Sequence, residues 1–171
     1  MRPAQIVALS LALLGGACGS APEQAGRVRA LVARPPKDTI RFEAPARAHH
    51  CSGGPRSGLL LQGSSDGNGV VIWLRGGGTD SLAGGPWPLL QRGDTMSPRG
   101  GTVGVRYMLN AVAHGLPLDS GAVEVRETAH VFTVVARGTG HETMAAGRVA
   151  LEASFDAVPL ETDSVSCWPR P

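Results

Sequence analysis

The chain has 171 residues, among them 24 glycines and 13 prolines, enough for one domain with a real core and too few for a second large one. Glycine and proline exceed ordinary usage yet stay below the level of a low-complexity chain, so turns must be frequent in a folded protein. Sixteen basic residues against 14 acidic ones leave a formal net charge of +2, and Lys37 is the only lysine. Charge carried by singly scattered arginines excludes a strongly electrostatic nucleic-acid binder as the leading reading.

The chain begins with one positive residue, Arg2, followed by an apolar stretch from Ile6 to Leu14 and the small residues Gly15, Gly16 and Ala17 before Cys18. That order is a secretory signal peptide spanning residues 1–17, and its apolar run is shorter than the roughly 17 to 25 residues that cross a bilayer. A cysteine placed directly after such a run resembles the lipobox of bacterial lipoproteins, with Gly15 standing where that family usually has leucine. The resemblance implies that Cys18 is acylated, with palmitate among the expected chains, and becomes the new N-terminus. The membrane is then the first expected partner. Gly19, where an aspartate would favour retention at the inner membrane, implies an outer-membrane destination facing the periplasm or the cell surface. The resemblance speaks to address and anchoring and leaves activity open.

Residues 18–38 are polar or small and close on Pro35 and Pro36, which reads as a lipid-anchored tether with room for a short helical turn from Arg27 to Val32. Residues 39–171 read as a single β domain, because the dominant period there is two. The clearest case is Arg148 to Val158, where Val149, Leu151, Ala153, Phe155 and Ala157 alternate with mostly polar residues, as in a half-buried antiparallel strand. Further strands are expected at Thr39–Glu43, Leu59–Gln62, Val70–Arg75, Thr102–Leu109, Ala122–Glu127 and Val131–Arg137. The unbroken run Val70 to Leu74 suits a central strand. Asp66-Gly67 and Asn68-Gly69 supply the positive φ angles of a hairpin turn. The stretch from Gly76 to Gly101 reads as a long irregular loop, and Met108 to His114 as a turn or two of helix.

Seven or more short strands with glycine-rich turns point to an all-β antiparallel fold, a sandwich with a small β-barrel as the alternative. With Cys18 lipidated, Cys51 and Cys167 remain as an even pair in an oxidising compartment, where a disulfide is expected. Such a bond would tie strands distant in sequence, as bridges between two sheets do, and this favours the sandwich.

Gly63-Ser64-Ser65-Asp66-Gly67 matches G-x-S-x-G, and Asp119 and His130 follow in the order of a hydrolase triad. The motif needs a strand, a sharp turn and then a helix to expose the serine, whereas Val70–Leu74 reads as a strand, so a hairpin accounts for the same residues. His49, His50, His114, His130 and His141, with Glu142, are candidate metal ligands by type. Their spacing does not cluster them: adjacent His49 and His50 point to opposite faces of a strand, and His141-Glu142-Thr143-Met144-Ala145 stops short of H-E-x-x-H. No metal and no cofactor are therefore expected. Trp87 between two prolines, and Trp168 after Cys167, are the candidate binding aromatics, either as a recognition surface or as caps on an open end of the core.

The expected function is a lipid-anchored envelope domain that works by binding or structural interaction through loops at one end, rather than as an enzyme. Its expected partners are an envelope protein, a glycan or a lipid, and nucleic acid is not among them. The rivals are a small envelope hydrolase or metal-dependent enzyme using Ser65 or the histidines, and a carrier of an apolar ligand, which would need an empty interior.

Overall fold

The computed structural model describes residues 26–36, 38–52, 58–76, 85–91, 93–94, 96–143 and 147–167. Nine strands follow one another: β1 (Gly26–Arg34), β2 (Asp38–Ser52), β3 (Gly58–Ser65), β4 (Asn68–Arg75), β5 (Gly85–Pro88), β6 (Gly100–Leu109), β7 (Val112–Thr128), β8 (Val131–His141) and β9 (Arg148–Ser166). Eight of them pair antiparallel in the sequence β1-β2-β3-β4-β6-β7-β8-β9, and β9 returns to pair with β1 from Arg27↔Asp156 to Ala33↔Ala150. The sheet is thereby closed into a barrel. The all-β antiparallel expectation holds, and the choice between sandwich and barrel falls to the barrel. The correction has a physical cause: β9 closes the barrel on β1 and, past the start of β1, pairs directly with β2, so Cys51 and Cys167 lie on neighbours and no second sheet is required.

The barrel has two ends. The upper one carries the turns after β1, β3, β6 and β8; the lower one carries those after β2, β4 and β7. Three hairpins turn on two residues with positive φ, at Asp66-Gly67 (52° and 80°), Asn110-Ala111 (46° and 66°) and Ala129-His130 (50° and 62°). This left-handed pair matches the twist of the flanking strands. The segment from Met108 to His114 is thus the end of β6, a turn and the start of β7, and no helix occurs there.

β1 corrects the reading of residues 18–38 as tether in so far as Gly26–Arg34 is a strand of the barrel. In this strand Val28, Ala30 and Val32 are buried while Arg27 and Arg29 are exposed, a period of two rather than a helical turn. The same facing holds around the wall. Leu59, Leu61, Ile72, Leu74, Val134, Leu151 and Phe155 are all fully or almost fully buried in one contiguous apolar cluster. Outside stand ion pairs such as Arg27–Glu43 (2.6 Å), Arg29–Asp156 (2.8 Å) and Arg137–Glu152 (2.9 Å). An eight-stranded barrel is just wide enough for side chains to fill it, and each buried Val or Leu contributes about 1.5–3 kcal/mol. An apolar inside and a charged outside are the reverse of a barrel that spans a membrane.

The lower end departs from simple closure in two places. Below Gly104↔Pro117, β6 and β7 separate, and β5 takes the vacated place beside β7, pairing Gly85–Pro88 with Ala122–Val125. Its Trp87 is 0% exposed, with the Arg99 guanidinium 4.3 Å from the ring centroid. In β9, Ala157 adopts φ 50°, which shifts the alternation so that Val158, not Ala157, points inward. Val158 then passes under the start of β1, where a Cβ on Gly26 would meet the Val158 Cα at 2.5 Å. Only glycine allows that approach. Beyond it β9 runs parallel to the lower half of β2, from Ala48↔Leu160 to Ser52↔Ser166. There Cys51 and Cys167 form a disulfide, with a Cα–Cα distance of 5.3 Å.

Candidate functional site

The inward phase that gives β1 its buried valines ends on Arg34, and the phase that buries Val103 and Val105 in β6 ends on Tyr107. Both reach the upper end, where Glu142, just past β8, meets them. Arg34 donates from Nε to Glu142 Oε1 (2.5 Å) and from Nη2 to Oε2 (3.3 Å), and the Tyr107 hydroxyl donates to the same Oε1. His114, cross-strand partner of Tyr107, stacks on its ring at 5.5 Å with 8° between the planes, and its Nδ1 lies 3.8 Å from Glu142 Oε2. Asp38 accepts from Arg34 Nη1 at 2.8 Å. The hydrogen bond to Glu142, joined by the bond to Asp38, outweighs the lowering by burial and raises the Arg34 pKa above its ordinary value, so this guanidinium is a permanent charge.

A buried charge survives only when paired and hydrogen-bonded, and this cluster meets that condition. Arg34 and Tyr107 occupy the Glu142 carboxylate. What they leave toward solvent is part of the His114 imidazole and Asp38, whose side chains are 24% and 45% exposed. Beside them lies an open depression of about 280 Å³ lined by Ala33, Arg34, Pro35, Pro36, Asp38 and Thr39. The upper end can therefore offer the His114 imidazole and the Asp38 carboxylate to a polar partner, while Arg34 holds that carboxylate in place. A larger groove of about 550 Å³ lies on the outer wall among Pro45, Arg47, Gln62, Ser64, Val71 and Glu161, away from these ionisable groups. The chemistry and this larger groove thus stand apart, and the convergence of buried polar groups is the better pointer to a site.

The triad residues are not brought together. Ser65 ends β3 at the upper end and its hydroxyl donates to Asp66 (2.8 Å). Asp119 is bound on the outer wall by Arg148, and this partner lowers its pKa. His130 sits in the lower β7–β8 turn, 3.5 Å from Glu127. The histidines are likewise dispersed. His49 is buried against Asp163 (3.1 Å), His50 is exposed on the opposite face and His141 lies beside Arg148 (3.3 Å). Among the described residues no three of His, Cys, Asp and Glu gather in a way that could hold a metal ion. Trp87 is buried in the lower end, so no exposed ring stands there. Cys18 and Trp168 lie outside the described residues.

Of the upper cluster, sequence reasoning singled out His114 and Glu142 by type and passed over Arg34 and Tyr107. The signal was a polar or charged residue continuing the buried phase of a strand, at Val28-Ala30-Val32-Arg34 and Val103-Val105-Tyr107. The chain matches no family model, no curated protein and no solved structure.

Proposed function

We propose that this protein is a lipoprotein of the cell envelope, anchored through acylated Cys18 after removal of a signal peptide, whose barrel acts by binding rather than by catalysis. The destination implied by Gly19 is the outer membrane. The observation that carries the exported location is the Cys51–Cys167 disulfide, since such bonds persist in oxidising compartments and are rare in the cytosol. The binding surface is the upper end, where the part-exposed Asp38 and His114 favour a polar partner, an envelope protein or a glycan, over an apolar lipid.

Expression in a bacterial host with the native leader tests the anchor. Cys18→Ser should move the protein from the membrane to the soluble fraction and remove the acyl mass from the mature chain; a variant that stays on membranes overturns it. For the binding surface, a photo-crosslinker replacing Val112 at the upper end should give adducts in living cells, and one replacing Val71 on the wall should not. The opposite pattern transfers the site to the wall groove.

A further inference from the structure

We infer that the outer wall carries a second site, one that takes a single-chain amphiphile with an anionic head. Where β2, β1 and β9 run side by side, an open hollow of about 480 Å³ is lined by, among others, Arg29, Leu31, Arg41, Glu43, Glu152 and Ser154. That volume falls within the roughly 300–1,000 Å³ of small-molecule sites. The alternation of β1 accounts for its floor: Val28, Ala30 and Val32 face the core, so Leu31 faces outward. The cross-strand neighbours of Leu31 are Arg41 in β2 and Glu152 in β9, and in the next outward row Arg29 stands between Glu43 and Ser154. A half-buried leucine is thereby fenced by long side chains, whose aliphatic stems extend the apolar surface while their charged ends reach water.

The charges around the hollow are not equivalent. Arg29 is paired with Glu43 (3.3 Å) and Asp156 (2.8 Å), Glu43 also with Arg27 (2.6 Å), and Glu152 with Arg137 (2.9 Å). Arg41 is exposed and has no hydrogen bond or ion pair among the described residues. The carboxylates here are all matched, and the unmatched charge is the Arg41 guanidinium. A ligand that lays hydrocarbon over Leu31 and sets an anionic head on Arg41 satisfies both features, and the planar fork of a guanidinium suits two oxygens of one head group. An alkyl cation would meet only carboxylates that already have partners, and a neutral chain would leave Arg41 unused. An ion pair at an exposed position adds little, so the apolar body supplies most of the affinity and the head selects the sign of charge. This site is independent of the reading of the upper end as a binding surface.

The test titrates the full chain, carrying Cys18→Ser so that no acyl chain of its own competes, with decanoate below its micelle concentration. Binding is read from backbone amide NMR shifts. Saturable shifts centred on Leu31, Arg41 and Ser154 are expected, with decanoate binding more tightly than decanol and decanol more tightly than decyltrimethylammonium. Arg41→Gln should weaken decanoate about two- to fivefold and leave decanol unchanged. Leu31→Ala should weaken both about three- to tenfold. Neither side chain belongs to the buried core, and an unaltered amide spectrum on the other strands checks that each variant keeps the barrel. Shifts that do not saturate or that centre on another face overturn the site. Equal affinity for the three head groups, or an Arg41→Gln variant that binds decanoate as the parent does, overturns the anionic ligand.

Discussion

At the lower end the barrel is closed by bulk and covalent linkage: Trp87 fills the gap between β6 and β7, and the disulfide holds the last residues of β9 to β2. At the upper end the same task falls to an Arg34–Glu142 ion pair with Tyr107 and His114 stacked beside it. The two ends differ in what they leave for function. An indole buried whole offers a partner nothing, whereas a satisfied polar cluster at a rim keeps part of an imidazole and a carboxylate in water. The contrast also separates the sources of stability, since packing and cross-linking resist perturbation locally while a buried ion pair fails if either member is lost.

The largest effect is expected at the disulfide. Its 116-residue sequence separation means that Cys51→Ser with Cys167→Ser should cost about 5 kcal/mol by restoring the freedom of the unfolded chain, read as a drop in denaturation midpoint that matches the effect of reductant on the parent protein. An unchanged midpoint would mean that packing alone holds the lower end. Trp87→Ala should cost about 3–5 kcal/mol through the cavity it leaves. Trp87→Phe should cost much less, because the buried Trp87 Nε1 has no hydrogen-bond partner to lose. A similar loss in both variants would show that β5 pairing, not indole volume, closes the gap.

The upper end should respond in a different pattern. Glu142→Ala leaves the buried Arg34 with Asp38 as its remaining carboxylate partner and should cost about 3 kcal/mol, while Arg34→Met combined with Glu142→Leu should recover most of that loss, a non-additivity measurable by a double-mutant cycle. If the double variant is as unstable as the single one, the polar cluster contributes more than mutual compensation. The smallest effect belongs to the lower end. The hydroxyl and amide of Ser97, then the Met96 amide and the Arg75 charge, hold the Asp94 carboxyl down at about 2, below its ordinary 3.8. A lowered folded-state value means that the contribution is full above about 3.8 and is lost as pH falls toward 2. Asp94→Asn should flatten the stability profile across that window, and an unchanged profile would place the acid sensitivity elsewhere.

Legibility followed range. The alternation from Val149 to Phe155 and the Asp66-Gly67 turn are local patterns and read directly. The turns at Asn110-Ala111 and Ala129-His130 carry no glycine, so apart from Asn110 their left-handed backbone has little mark in the sequence. β1 is hard to read as a strand because Gly26–Arg34 sets three arginines, two alanines and a leucine, which suit a helix, beside only two valines, and because its strand character comes from pairing on both sides, with β2 and with β9. Trp87 between prolines looks like an exposed loop residue. Its burial depends on a gap between two strands whose partners are distant in the chain.

By itself the amino-acid sequence determined the period-two strands, most of the inward faces, the antiparallel class and the pair of cysteines available for a disulfide, because each depends on residues a few positions apart or on composition. Only the tertiary structure decided that the sheet closes on itself, that β5 enters the wall, and that Arg34, Tyr107, His114 and Glu142 meet at one end. Those outcomes depend on pairings between strands separated by most of the chain, such as Val28↔Phe155, and no local pattern encodes which edge a strand will find.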